Sequence, residues 1–197
     1  MALIDIDGIN YVLNTKTSSA EVWRLEKYDR DIIDIPPYIS YGSVKYRVTE
    51  IASGAFASLS NVRFIKIPDT VVNIGRNAFT GTAWYRNLPD GIVYINNVLY
   101  RYKGDMPANT NVVIPEGITT IGKYAFNYCV NLISIIIPSN VINIGECAFY
   151  YCTALSDFRG DLSSLSNGSY LFDRCSLTNF YSNLSSLTNG EYMFWGA

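Results

Sequence analysis

The side chains with the most chemical reach in this sequence are four cysteines, Cys129, Cys147, Cys152 and Cys175, and they stand in a chain with no histidine. Without histidine there is no imidazole base to generate a thiolate or a serine alkoxide, so Cys-His and Ser-His nucleophiles are excluded. The commonest metal ligand is missing too, and no Cys-x-x-Cys pair opens a zinc site. Cys129, Cys152 and Cys175 follow one another at steps of 23 residues. Equivalent inward positions on neighbouring strands lie about 4.8 Å apart, close enough for a disulfide. Three equivalent side chains pointing the same way cannot all pair, so the expectation is a ladder of buried, inert thiols. Cys147 falls outside that column and is expected to be partly exposed.

Other motifs dissolve on inspection. Gly117-Ile118-Thr119-Thr120-Ile121-Gly122-Lys123-Tyr124 comes within one residue of a phosphate loop, but Tyr124 stands where magnesium needs a serine or threonine hydroxyl. Asp5, Asp7, Asp29, Asp31 and Asp34 lack the spacing of a calcium loop and read as solvated charges. Asn167-Gly168-Ser169 and Asn183-Leu184-Ser185 fit the glycosylation pattern, but both are repeat positions. No segment has the look of a catalytic loop, so the chain is read as a non-enzyme with no catalytic, metal-binding or cofactor-binding residue and no cofactor.

Hydrophobic residues make up 49% of the 197 and charged residues 16%, against roughly 25% charged in an average soluble domain, so disorder is excluded. The net charge of −2 argues against a partner held by phosphate neutralisation, and no nucleic acid is expected. No run approaches about 18 apolar residues, so no membrane-spanning helix is expected. The opening MALIDIDGIN lacks a basic segment and carries Asp5 and Asp7, so it does not read as a signal peptide.

The elements that position these residues are repeats. Ile65-Lys66-Ile67-Pro68 leads to Val71, Ile74-Gly75 and Ala78-Phe79; Val113-Ile114-Pro115 leads to Ile118, Ile121-Gly122 and Ala125-Phe126; Ile136-Ile137-Pro138 leads to Val141, Ile144-Gly145 and Ala148-Phe149. The pattern is I-x-I-P-x-x-V/I-x-x-I-G-x-x-A-F. Phe126 to Phe149 and Phe149 to Phe172 are each 23 residues, and Phe172 to Phe194 is 22. Between Phe79 and Phe126 lie 47, so one repeat there is replaced by something else. The I-x-I segment alternates and reads as a short strand. Proline after it cannot donate to a ladder and ends the strand. Glycine permits a tight corner, and Ala-Phe reads as a short helical turn with Phe plugging the core. Ordering one such coil costs about 1.5 kcal/mol per residue, more than its own apolar set returns, so coils must stack.

This pattern resembles the BspA-like leucine-rich repeat, also called the Treponema pallidum type. Segments 62–82 and 111–155 match closely. The opening, with Ile9-Asn10-Tyr11-Val12-Leu13, Ala20-Glu21-Val22, Ile33-Asp34-Ile35-Pro36 and Val48-Thr49-Glu50-Ile51, is similar to the family's common start. Residues 155–197 depart from the consensus but keep the period. The resemblance implies an α/β solenoid: a leucine-rich-repeat right-handed superhelix of about 23-residue coils with a short parallel sheet. One domain over 1–197 is expected, with an N-terminal hairpin cap at 1–30, first repeats at 31–81, an inserted hairpin at 82–110, consensus repeats at 111–154 and divergent repeats at 155–197. The cap pairs Tyr11-Val12-Leu13 with Glu21-Val22-Trp23. The insertion folds Val93-Tyr94-Ile95 against Val98-Leu99-Tyr100 across Asn96-Asn97 and is expected to pack on the solenoid flank.

In such a fold the outward strand residues form one continuous concave face. In register these are Asp34, Lys66, Val113, Ile136, Arg159 and Tyr181, beside a second column of Phe64, Asn111, Ser134, Asp157 and Asn179. Outward Val113 and Ile136 would make an apolar patch of the kind that marks contacts. The resemblance implies a non-enzymatic protein-binding or adhesion module of a bacterial surface or secreted protein, its ligand a host matrix or bacterial surface protein. The alternative is a structural or spacer segment of a larger surface assembly or fibre. The sequence stops at a repeat boundary with no polar capping segment, which suggests end-to-end self-association.

Overall fold

Residues alternating in type every second position become strands with one buried side, and that rule builds both parts of this protein. The computed structural model describes residues 2–197 as two compact units, one ending at Leu88 and one running from Pro89 to Ala197. The first unit contains β1 (Ala2–Ile6), β2 (Ile9–Asn14), β3 (Ser19–Val22), β4 (Ile32–Asp34), β5 (Tyr38–Tyr41), β6 (Val44–Ile51), β7 (Phe64–Lys66), β8 (Asn73–Ile74) and α1 (Ala83–Asn87). The second contains β9 (Gly91–Ile95), β10 (Val98–Lys103), β11 (Thr110–Val113), β12 (Thr120–Ile121), β13 (Leu132–Ile136), β14 (Asn143–Ile144), β15 (Asp157–Arg159) and β16 (Asn179–Tyr181).

In the first unit β2 and β3 form the expected hairpin, with Tyr11 opposite Val22 and Leu13 opposite Ala20. Three strands were not anticipated, β1, β5 and the two-residue β8. β1 pairs antiparallel with β2 across Asp7-Gly8, and β5 pairs antiparallel with β6. β3 then runs parallel to β6, which runs parallel to β8. A separate two-stranded parallel sheet joins β4 to β7.

In the second unit two parallel ladders carry the repeat. One is β11-β13-β15-β16, the other β10-β12-β14, to which β9 adds antiparallel on β10. Partners in consensus coils are 23 residues apart: Val112 opposite Ile135, Ile135 opposite Phe158, Thr120 opposite Asn143. A hairpin forms within the expected 82–110 insertion, from β9 and β10, with Val98 opposite Ile95, while Ala83–Asn87 of that segment form α1. The hairpin is not a flank decoration, however. β10 runs parallel to β12, with Val98 opposite Thr120 and Leu99 opposite Ile121. Tyr102 N–H donates to the Ala125 carbonyl and Gly122 N–H to the Leu99 carbonyl, so the hairpin's second strand stands where a preceding coil would.

The expected α/β class is corrected to a strand-rich fold with almost no helix; among the described residues α1, five residues long, is the α-helix. The Ala-Phe segments are turns. In the first unit alternate N–H groups serve two different partners. Gly54, Phe56 and Ser58 donate to Arg76, Ala78 and Thr80 one coil on, at 3.0, 2.8 and 2.8 Å. Ala55, Ala57 and Leu59 donate back to Ala52, Gly54 and Phe56 within their own coil. A helix directs every N–H along its own axis and could not supply the first set. Left-handed residues break the helical run: Gly54 and Ser58 in one coil, Asn77 and Gly81 in the next, then Tyr124 and Tyr128, Cys147 and Tyr151, Tyr170 and Arg174.

Phe126, Phe149 and Phe172 are fully buried and stack through the second unit's core, with centroids 5.6 and 5.4 Å apart. The corner glycines serve close approach. A Cβ on Gly145 would strike the backbone nitrogen of Lys123, and one on Gly75 that of Ser53.

Candidate functional site: the outward strand face

Strand alternation sends Ile135, Phe158 and Val112 inward, all buried, and leaves their neighbours facing out. On the second unit's face one column reads Val113, Ile136, Arg159, Tyr181 and the column beside it Asn111, Ser134, Asp157, Asn179, each in parallel register. Eight of the eleven expected outward residues therefore share this sheet: Asn111, Val113, Ser134, Ile136, Asp157, Arg159, Asn179 and Tyr181. The other three, Asp34, Phe64 and Lys66, lie on the β4–β7 sheet of the first unit, with Asp34 opposite Lys66. The continuous sheet expected from the sequence is interrupted. After β7 the chain forms α1 rather than an I-x-I strand, because Thr82 caps a helix there, its Oγ1 accepting from the Tyr85 N–H at 3.0 Å.

The second unit's face combines exposed carbon with self-neutralised charge. Val113 is 67% exposed, Ile136 43% and Tyr181 60%. Arg159 donates through Nε and Nη2 to the two carboxylate oxygens of Asp157, at 3.0 and 2.9 Å. That bidentate bond holds the Asp157 carboxyl below its usual range and raises the guanidinium. The same guanidinium lies 5.5 Å from the Tyr181 ring centroid. Ser134 Oγ donates to Asn111 Oδ1 at 2.6 Å. In the first unit Lys66 Nζ reaches Asp34 Oδ2 at 3.1 Å, while Phe64 is 64% exposed beside them. A face of this kind offers apolar area and pre-ordered polar groups, which suits contact with a macromolecule.

The cysteine column is as expected: Cys129, Cys152 and Cys175 are free and buried. Cys152 Sγ donates to the Phe126 carbonyl at 3.0 Å and Cys175 Sγ to the Phe149 carbonyl at 3.2 Å. Burial pushes the Cys129 and Cys175 thiols up to about 12, and that of Cys152 well above its ordinary value. The expectation for Cys147 is corrected: it is 6% exposed, on a left-handed turn within electrostatic reach of Tyr150 and Tyr170. The glycosylation-like asparagines close local turns. Asn167 Oδ1 accepts from the Ser169 N–H and Asn183 Oδ1 from the Ser185 N–H.

Two features escaped the sequence reading. Exposed rings line the turns of the second unit, among them Tyr128, Tyr192 and Trp195, with the Arg174 guanidinium 4.4 Å from the Trp195 centroid. In the first unit, Arg63, Phe64, Ala83, Trp84, Asn87 and Leu88 line an open cleft of about 640 Å³. The Thr82 cap signal could have revealed the helix that forms its wall.

Stacked parallel coils carrying I-x-I strands define a leucine-rich-repeat protein, a class that generally mediates protein binding and is typically non-enzymatic. The BspA type leucine rich repeat region matches residues 38–106 and 85–197 in 6 copies, and the chain belongs to that family. Among solved structures it is similar to a leucine-rich repeat protein from Bacteroides ovatus, 29% identical, covering 79% of this chain and 40% of that one, TM-score 0.46. It is similar also to the Treponema pallidum leucine rich repeat protein, 23% identical, covering 90% and 81%, TM-score 0.44. A third is a leucine rich cell surface protein from Faecalibacterium prausnitzii, 17% identical, covering 90% and 81%, TM-score 0.40. The chain thus spans less than half the length of the Bacteroides ovatus protein. No curated protein matches it. No helix among the described residues is long and apolar enough to cross a membrane.

Proposed function

We propose that this chain is a non-enzymatic adhesion module of a bacterial surface or secreted protein, holding a protein ligand on its outward strand face. The coils of each unit wind as a right-handed solenoid, the hand taken by nearly all parallel crossover connections. The observation that carries this reading is the exposure of Val113 and Ile136 side by side on one sheet, with exposed Tyr181 beyond Arg159 in the same column. Scattered exposed apolar residues are ordinary, but a contiguous patch marks a contact surface. The neighbouring polar column is already ordered by its own hydrogen bonds, which lowers the entropy lost on binding. The partner is a host matrix protein or another bacterial surface protein.

The test is binding of the intact chain to immobilised matrix proteins and mucin, with glycans alongside. Saturable binding to a protein supports the reading; binding confined to glycans, or none at all, counts against it.

A further inference from the structure

The cleft beside β7 exists because α1 occupies the place where a regular coil would add the next strand. Its wall is fixed by several contacts. Trp84 N–H donates to the Val62 carbonyl at 2.8 Å, and the Trp84 ring meets Phe79 edge-on at 4.9 Å. Arg86 clamps α1 from behind, donating through Nη1 to the Gly81 carbonyl at 2.6 Å and through Nη2 to the Ser60 carbonyl at 3.4 Å. A wall held this way needs no rearrangement before a ligand enters.

The lining has a definite chemistry. Phe64, Ala83, Trp84 and Leu88 supply carbon, and Arg63 and Asn87 the polar side chains. Among the described residues no acidic group forms an ion pair with Arg63, and no side-chain hydrogen bond engages its guanidinium. The nearest charged pair along β7, Lys66 with Asp34, neutralises itself. The cleft is thus an apolar floor beside a cation that forms no ion pair, with Asp31, whose carbonyl accepts from the Arg63 N–H at 2.8 Å, as the adjacent acidic residue. Its volume, about 640 Å³, is within the range of ligand pockets and has room for a large side chain with its flanking groups. A sugar would want a denser set of hydrogen-bonding side chains than one arginine and one asparagine.

We infer that this cleft takes an aromatic side chain of an acidic peptide segment, the ring against Phe64 and Trp84 and a neighbouring carboxylate on Arg63. Arginine suits the task because its planar fork binds carboxylates bidentately. This deepens the adhesion reading, on which it rests, by giving the protein ligand a chemistry at one point of contact. Deep aromatic contacts of this kind dominate the energy of many interfaces.

The chain has three tryptophans, Trp23, Trp84 and Trp195, so its indole N–H signals form a simple set that Trp84→Phe assigns. The ¹⁵N-labelled full chain is titrated with acetyl-Glu-Phe-Glu-amide, with its Lys-Phe-Lys and Glu-Ala-Glu counterparts, and with a uronic acid oligosaccharide. The expected result is a saturable shift of the Trp84 signal with Glu-Phe-Glu alone. Arg63→Glu should weaken it at least about tenfold, while Arg63→Lys keeps part of it and the Trp23 and Trp195 signals stay still. Equal response to Lys-Phe-Lys, indifference to Arg63→Glu, a silent Trp84, or a preference for the oligosaccharide would each overturn the inference. The patch on the second unit is tested separately through Val113 and Ile136. Failure at the cleft with panel binding intact therefore removes only this inference, and loss of panel binding with the Trp84 response intact removes only the broader reading.

Discussion

The ring of Phe126 lies 5.6 Å from that of Phe149, with the two planes 11° apart. Both rings are fully buried, and each neighbour along the stack is another phenylalanine, Phe172 and then Phe194. The second unit's core therefore holds a column in which Phe149 and Phe172 are each packed by a ring on either side, while Phe194 at its end is 42% exposed. Phe126→Ala removes a ring that nothing nearby can replace. The loss should be about 3–5 kcal/mol in urea denaturation. A loss under about 1 kcal/mol would mean that the column does not carry the core.

Coil spacing is enforced at the corners by glycine. Gly145→Ala forces a methyl group against the backbone of Lys123, where no side chain can swing aside. The cost should exceed about 3 kcal/mol, the upper part of the range for overpacking. Gly117→Ala is the contrast. There a Cβ meets nothing within 4 Å and the penalty comes from its φ of +96° alone, so the loss should be about 1–2 kcal/mol. Equal losses at the two sites would contradict the close-approach explanation.

The buried thiols give stability a sign on the alkaline side. In the folded chain burial holds Cys129 and Cys175 protonated up to about 12, whereas the unfolded thiol ionises near its ordinary value of 9.0. Between those values the unfolded state binds fewer protons, so stability is intact below pH 9 and falls as pH rises toward 12. Melting temperature followed across that window should drop. The drop should be shallower in a Cys129→Ala, Cys175→Ala variant, after allowing for its lower stability at neutral pH. Parallel curves would mean that the thiols are not the groups responsible. Thiol reagents should likewise leave Cys129, Cys152 and Cys175 unmodified until the chain unfolds.

Much of the fold was legible because it is periodic. A recurring I-x-I-P and A-F at 23-residue steps forces equivalent residues into stacked positions, so the strands β7, β11, β13, β15 and β16, the Phe column and the Cys column followed directly. The turn in Asp7-Gly8 is legible too, since Asp-Gly between alternating segments is a strong hairpin signal, whereas the reading of Asp5 and Asp7 as solvated charges leaves β1 out. The Ala-Phe turns were misread as helical because the donors Phe126 and Tyr128 choose acceptors a coil away, at Ala148 and Tyr150, and no local propensity encodes that. The same limit hid the parallel pairing of Leu99 with Ile121 and the break in the strand ladder after Lys66. Which outward residues share a sheet was readable from register; that α1 would leave a cleft beside Phe64 depended on packing.

The adhesion reading stands or falls on the outward strand face. The direct measurement is binding of the intact chain and of a variant carrying Lys66→Ser, Val113→Ser, Ile136→Ser, Arg159→Ser and Tyr181→Ser to the same immobilised matrix proteins and mucin. Each of the five positions is exposed, so both chains should melt alike. The expected result is binding by the native chain and a loss of at least about tenfold in affinity in the variant. Undiminished binding by a folded variant would place the contact elsewhere and contradict the assignment.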